Sequence, residues 1–167
     1  MRTLLLGLVC VVAPGLCCSQ DAETFKATAS AKFAIMDYSG AVADYSAAVE
    51  LQPRDAEAYA NRGVAKHALK DYRGAIADYN KAIKLMPDHS ETYINRANAR
   101  VQLKDYQGAI ADYTMVIKLQ PDHAEAYYSR GITRTLADDR ANGCADVKWA
   151  AVLGNSKAFE KYRELCK

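Results

Sequence analysis

DYRGAIADYNKAIKLMP, residues 71–87, is the stretch on which the fold of this chain depends. Two further copies occur, DYSGAVADYSAAVELQP at 37–53 and DYQGAIADYTMVIKLQP at 105–121. Successive copies start 34 residues apart, and nine of the seventeen positions are identical in all three. Because a fixed period of this size is the sequence signature of stacked structural units, we predict a repeat array.

Composition bounds the class of protein. The chain has 167 residues, of which 50% are hydrophobic and 25% charged, and its formal net charge is +2. These values are typical of one globular domain. They give no sign of the clustered basic face that a nucleic-acid or anionic-membrane partner would require.

The N-terminus has the pattern of a secretory signal peptide. Arg2 precedes an apolar run from Leu4 to Val12, and the small residues Cys17 and Ser19 follow. This order predicts a signal peptide over residues 1–19 and an exported protein, periplasmic or secreted, with no membrane insertion after its removal. An uncleaved membrane anchor is the alternative, although the run is shorter than the roughly 20 residues of a spanning helix.

Helical spacing of apolar residues places two helices in each repeat. In the clearest unit the first helix is predicted over 56–69 and the second over 72–85, and Pro87 ends the unit because proline cannot continue a helix. The same plan gives units at 22–55, 56–89 and 90–123. A degenerate unit follows at 124–155, without the closing Pro, and residues 156–167 form a capping helix, as an array's end requires.

The second unit carries an aromatic residue, an Arg–Gly pair, a small residue, a second aromatic residue, an Ala and a closing Pro. These are Tyr59, Arg62, Gly63, Ala75, Tyr79, Ala82 and Pro87. The pattern resembles the tetratricopeptide repeat, and the likeness extends over about residues 22–155. It implies an all-α, right-handed solenoid of about four helical hairpins plus a C-terminal capping helix. The GAIADY units and the GCADVKWAAVLGN ending resemble those of bacterial exported tetratricopeptide proteins.

The resemblance implies that the first helices line a concave face, which in this family binds an extended peptide or a partner helix. The candidate peptide-binding residues are Lys26, Asn61, Asn95, Asn98, Tyr128 and Ser129. Asn61 and Asn95 are equivalent positions, and stacked amides can hold a peptide backbone because each offers a donor and an acceptor. The alternative is that they only solvate an idle face. The carboxylate clamp of chaperone-binding relatives is not expected, because Ser30 replaces an Asn and the face carries Glu57 and Glu91.

An Arg in the first helix and an Asp in the second recur at the repeat period. The pairs are Arg62 with Asp78, Arg96 with Asp112, and Arg130 with Asp146. We interpret them as structural ion pairs that join the two helices of a unit. A charged ligand groove is the alternative. Thr28 stands in place of the Arg in the first unit, so Asp44 must find another partner.

Catalytic and cofactor motifs were not found. The sequence has no Gly-rich phosphate loop, nucleophile elbow or HExxH motif. His89 and His123 are equivalent loop positions, which do not converge as metal ligands must. We therefore expect no enzyme activity, no cofactor and no metal.

Two of the five cysteines lie beyond the predicted signal peptide, Cys144 and Cys166. They are placed almost symmetrically about a turn at Gly154 and Asn155, so an antiparallel hairpin brings them side by side. We predict a disulfide, which oxidising compartments allow. Two buried free thiols are the alternative.

Two functions remain open at this stage. The first is a binding module that holds a protein or peptide partner on its concave face. The second is a structural subunit of an envelope complex that uses outer or terminal surfaces, with Tyr127, Trp149 and Phe159 as candidates. The sequence names neither the partner nor the oligomeric state, because this type of fold serves unrelated partners.

Overall fold

The computed structural model describes the backbone of residues 14–166 and the side chains of residues 22–166. Its helices are α1 (Pro14–Ala34), α2 (Tyr38–Leu51), α3 (Ala56–Ala68), α4 (Tyr72–Leu85), α5 (Ser90–Gln102), α6 (Tyr106–Leu119), α7 (Ala124–Leu136), α8 (Arg140–Val152) and α9 (Ser156–Leu165). No strand occurs in this range. Helices pack mainly on the helices next to them in the chain, which is the contact pattern of a solenoid. The predicted all-α helical-hairpin solenoid is confirmed.

The predicted signal peptide lies largely outside the described residues. Residues 1–13 are not described, and neither are the side chains of residues 14–21. The first helix begins at Pro14 and not at the predicted Ala22. Among the described helices, none is both long enough and apolar enough to cross a bilayer.

The second helix of each repeat unit starts with an aspartate cap. Asp37, Asp71 and Asp105 each accept a hydrogen bond from the backbone N–H three residues on, at Gly40, Gly74 and Gly108. A Cβ atom at any of these glycines would collide with the carboxylate of the cap. The repeated Asp-Tyr-x-Gly therefore satisfies an orphan helix-end donor and keeps the space that the cap requires.

The turn between the two helices of each unit uses a left-handed residue. Met36, Lys70, Lys104 and Asp138 have φ between 61° and 64°, and they lie 34 residues apart. Non-glycine residues pay a steric cost in this region because Cβ approaches the following carbonyl oxygen. The turns were recognisable in the sequence. Their left-handed conformation was not, because the residues that adopt it are not glycines.

We expect the Lys70→Gly/Lys104→Gly variant to raise the free energy of unfolding by about 1 kcal/mol, because glycine relieves the left-handed strain while adding entropy to the unfolded chain. Urea denaturation followed by circular dichroism measures the change. Ala77→Gly, at an exposed helical position of α4, is the matched control and should lose about 1 kcal/mol. A loss of stability in both variants would contradict the strain argument.

The core is continuous along the array because most of its clusters combine residues of neighbouring units. Ala75 and Tyr79 of α4 pack with Ala99 of α5, and all three are buried. Within the unit, a Cβ added to Gly63 would lie only 2.6 Å from the Tyr79 ring. Small residues at this crossing therefore let the two helices of a hairpin approach closely.

The C-terminal helix has the register of another first helix. Its N-cap Asn155 matches the N-caps Asp55, His89 and His123 of α3, α5 and α7. Eight residues after those caps stand Gly63, Ala97 and Gly131, which are buried, whereas α9 has the exposed Arg163. A long side chain therefore occupies the position at which the earlier hairpins approach most closely, which disfavours packing of a second helix of the repeat type. The connection before α9 is also one residue shorter than the earlier connections between units, with Gly154 at φ 90°.

Candidate functional site

The first helices of the units form one side of the array, which we call the inner face. Among helices two apart in the chain, the most extensive contact joins α3 and α5, both first helices. The first helices of these two neighbouring units therefore touch directly on this side. Three cavities open along the inner face.

The cavity between α3 and α5, which we call the Asn cavity, has a volume of about 210 Å³. It is lined by Glu57, Ala60, Asn61, Val64, Met86, His89, Glu91, Thr92 and Asn95. Asn61 and Asn95 are equivalent residues of successive units and are only partly exposed. Neither amide has a hydrogen-bond partner among the described residues, so both offer a donor and an acceptor to a ligand.

A second cavity, of about 230 Å³, continues the Asn cavity toward α1. It is lined by Ser30, Phe33, Tyr45, Asn61 and Val64. The Ser30 hydroxyl and the Tyr45 hydroxyl lie 2.9 Å apart, so each is already partnered. Asn61 borders both cavities, which makes it the residue that joins them into one groove.

The third cavity, which we call the tyrosine cavity, has a volume of about 430 Å³ and lies toward the C-terminus. Its lining includes the candidates Asn98, Tyr128 and Ser129, along with Tyr113. The Tyr113 hydroxyl donates a 2.6 Å hydrogen bond to Oδ1 of Asn98, and burial raises the pKa of Tyr113 to about 12. Asn98 thus has a partner within the fold, unlike Asn61 and Asn95.

Lys26 is engaged within the protein. Its ammonium group lies 2.8 Å from Oε1 of Glu23 and 2.9 Å from Oδ2 of Asp55. The hydrogen bond that Lys26 donates to Glu23, together with the one to Asp55, raises the pKa of Lys26 against the opposing effect of burial. The cation is therefore neutralised by two carboxylates, and Lys26 is less available to a ligand than its sequence position suggests.

The three Arg–Asp pairs have the same bidentate geometry. Arg62 donates from Nε and Nη2 to the two oxygens of Asp78, at 2.9 and 2.6 Å. The pairs Arg96–Asp112 and Arg130–Asp146 repeat it at 2.5 to 3.0 Å. The remaining Nη1 donor reaches the second helix of the preceding unit, at Ser46, Asn80 and Thr114 respectively. Each Arg therefore links three helices, and its donors face the protein.

A second row of cations was missed by the sequence reasoning. Lys66, Arg100 and Arg134 each place a nitrogen 2.7 Å from the same carboxylate that their unit's Arg binds. In the first unit, where the Arg is absent, Lys32 of this row binds Asp44 at 2.7 Å and lowers its pKa. The signal was present, because these four residues recur at the 34-residue period.

Cys144 at the start of α8 and Cys166 at the end of α9 lie in disulfide geometry, with their Cα atoms 5.7 Å apart. The separation of 22 residues along the chain encloses the whole α8–α9 turn. Arg140 adds a second tie, since Nε and Nη2 both donate to the carbonyl oxygen of Leu165. The last helix is therefore held to the array at its far end.

The loop histidines serve the helix starts. Nδ1 of His123 accepts a hydrogen bond from the backbone N–H of Ala126, and Nδ1 of His89 lies 2.8 Å from the Thr92 hydroxyl. Over the described side chains, no group of three or more His, Cys, Asp or Glu residues is arranged to hold a metal ion.

Solved structures with similar folds include the crystal structure of MamA, which is 23% identical over 83% of this chain and 81% of that one, with a TM-score of 0.78. The tetratricopeptide domain of Arabidopsis OM64 is 27% identical over 70% of this chain and 96% of its own, with a TM-score of 0.66. The first such domain of Spaghetti (RPAP3), bound to the HSP90 peptide SRMEEVD, is 27% identical over 72% and 95%, with a TM-score of 0.69. No curated protein matched significantly.

Family models match the repeats themselves. The tetratricopeptide repeat model matches residues 56–89, and a second tetratricopeptide model matches residues 31–70 and 97–134. These ranges cover more than half of the sequence and agree with the stacked hairpins described above. The chain belongs to the tetratricopeptide repeat family.

Proposed function

We propose that this protein is a non-catalytic interaction scaffold that holds an extended peptide, or an extended segment of a partner protein, on its inner face. The observation that carries the proposal is the pair of unpartnered amides at Asn61 and Asn95 in one cavity. Because the two are related by the repeat, they can bind successive parts of a peptide backbone. Tyr128 and Ser129 line the same face further along, beside Asn98.

One comparison supports a peptide partner. The Spaghetti domain of similar fold was solved with a bound peptide. The Arg–Asp pairs, by contrast, direct their donors into the protein, so we propose a structural role for them and not a charged ligand groove. The signal-like pattern of residues 1–19 supports a location outside the cytoplasm, periplasmic or secreted, and this location is part of the proposal.

A structural subunit of a larger envelope assembly is the second candidate. The observation that favours it is exposed apolar surface near the C-terminal end, where Trp149 is 49% and Phe159 63% exposed. Apolar side chains exposed to this degree can join an interface. Analytical ultracentrifugation of the purified protein tests whether that end associates with a second copy.

The test of the proposed function is a peptide-display selection on the purified protein, followed by calorimetry with a selected twelve-residue peptide. We expect Asn61→Ala/Asn95→Ala to weaken binding by about tenfold or more, since each amide–backbone hydrogen bond contributes roughly 0.5–1.5 kcal/mol. Both side chains are partly exposed, so stability should change little.

Gln107→Ala is the matched control, because Gln107 is an exposed amide on the second helix α6, away from the inner face. Its affinity should equal that of the unmodified protein. Selection of peptides whose affinity is the same in the double variant would move the binding site away from the Asn cavity. A selection that yields no peptide would count against the proposed function itself.

A further inference from the structure

The charges around the Asn cavity indicate which peptides the inner face accepts, an inference that rests on the proposed function. Glu57 and Glu91 line this cavity, and both are exposed. Neither forms an ion pair with any described residue. No lysine or arginine is among the residues that line the cavity. Two carboxylates therefore face it without a compensating cation.

The basic residues of the neighbouring first helices are committed elsewhere. Lys26 binds Glu23 and Asp55. The cations of α3 and α5 converge on the buried carboxylates of the second helices, away from the cavity. They are Arg62 and Lys66 on Asp78, and Arg96 and Arg100 on Asp112. The residues that line the Asn cavity therefore present two carboxylates, and no lysine or arginine, to an approaching peptide.

The walls of the Asn cavity suit the shape of a long basic side chain. Ala60, Val64 and Met86 supply apolar surface for the methylene stem, and the two carboxylates lie where its charged head can remain hydrated. The amide oxygens of Asn61 and Asn95 add neutral acceptors. An acidic side chain in the same place would lie against like charges without a donor from lysine or arginine.

The tyrosine cavity has a different character. Val101, Tyr128, Ile132 and Leu136 line it, and Leu136 is 51% exposed. Its basic residues contribute little charge, because Lys161 is bound to Glu164 at 3.0 Å and burial lowers the pKa of His67. This lining suits an apolar side chain, which removes exposed hydrophobic surface from water on binding.

We propose that the inner face binds peptides that place an arginine or lysine side chain in the Asn cavity and an apolar side chain in the tyrosine cavity. This specificity is opposite in charge to that of the acidic HSP90 peptide bound by the Spaghetti domain. The complementarity is electrostatic at one end of the groove and apolar at the other, so it also sets the direction of the bound chain.

Three fluorescein-labelled peptide sets test the proposal by anisotropy. Each peptide has twelve residues, all Gly or Ser except for one Leu and one variable residue. The variable residue is Arg in the first set, Gln in the second and Glu in the third. Within each set, the Leu and the variable residue occupy every possible pair of positions. We expect the best Arg peptide to bind about three- to fivefold more tightly than its Gln counterpart, as exposed ion pairs allow, and the advantage to shrink at high salt. The Glu counterpart should bind most weakly.

Glu57→Gln/Glu91→Gln should reduce the Arg advantage to less than about twofold, because both carboxylates are removed without a change of shape. Glu125→Gln is the matched control, since Glu125 holds the same repeat position but lies outside the Asn cavity and contacts Asn155. Preference for Glu peptides, or an Arg preference that persists in the double variant, overturns the assignment while leaving peptide binding intact. Failure of every set to bind overturns both this inference and the proposed function.

Discussion

We expect Asp112→Ala to lower the free energy of unfolding by about 3–5 kcal/mol, the largest effect of any substitution considered for this protein. Asp112 is 2% exposed and accepts hydrogen bonds from Nε and Nη2 of Arg96 and from Nη1 of Arg100. Removing it leaves the partly buried Arg96 without a carboxylate partner, and Arg100 keeps only a 3.5 Å contact with the exposed Asp105. The cost is dominated by that uncompensated charge and not by the lost attraction.

Urea denaturation followed by circular dichroism measures this loss. Asp122→Ala, at an exposed loop position, should stay within about 0.5 kcal/mol of the unmodified protein. Asp112→Leu/Arg96→Met/Arg100→Met should recover most of the stability, because it removes the charges together with their counter-charge. A loss below about 1 kcal/mol in Asp112→Ala would show that water reaches the site and that the Arg–Asp pairs are not structural.

Breaking the link between Cys144 and Cys166 is expected to cost about 3 kcal/mol in the chain-entropy model, given the 22-residue separation of the two cysteines. For a chain of this size the melting temperature should fall by roughly 6–12 °C. The measurement compares oxidised protein, with and without a phosphine reductant, by scanning calorimetry. Because α9 has a neighbour on one side only, hydrogen exchange should show its amides losing protection first.

Cys144→Ser/Cys166→Ser is the control that separates the bond from other effects of the reductant. Its melting temperature should match that of the reduced protein and should not respond to reductant. Titration of two free thiols in unfolded, unreduced protein would contradict the proposed disulfide, and the reductant would then have no effect on melting.

The fold could be predicted from the sequence because the same pattern of structure-determining residues occurs three times at a fixed period. Asp71, Gly74 and Pro87 each have equivalents one period away, and these residues act locally, as a helix cap, the space beside it and a helix stop. Local roles of this kind depend on neighbouring residues only. The spacing of residues in the sequence is therefore almost sufficient to predict these roles.

The candidate site was less predictable because it depends on contacts between units. Lys26 was a candidate for ligand binding, but its ammonium group is bound by Asp55, the last residue of the connection between α2 and α3. Asn98 was also a candidate for peptide binding, yet the Tyr113 hydroxyl of α6 occupies its oxygen. Both outcomes depend on where another part of the fold places one atom, which periodicity does not specify.

The cation row at Lys32, Lys66, Arg100 and Arg134 is an intermediate case. Its 34-residue period was visible in the sequence. Because either lysine or arginine can bind the carboxylate, the four positions are not identical and the row did not stand out. In the first unit Lys32 takes the carboxylate that an Arg holds elsewhere. A loss at one position is thus compensated by a neighbour one helical turn away.

Arg163 disfavours extension of the array beyond α9. Units can be duplicated between residues 56 and 123, because the surfaces that meet there are repeats of each other. A unit added after α9 would place its second helix against a guanidinium group where every earlier hairpin has a buried small residue. Gene duplication can therefore lengthen this protein from within, whereas growth from its C-terminal end requires Arg163 to be replaced first.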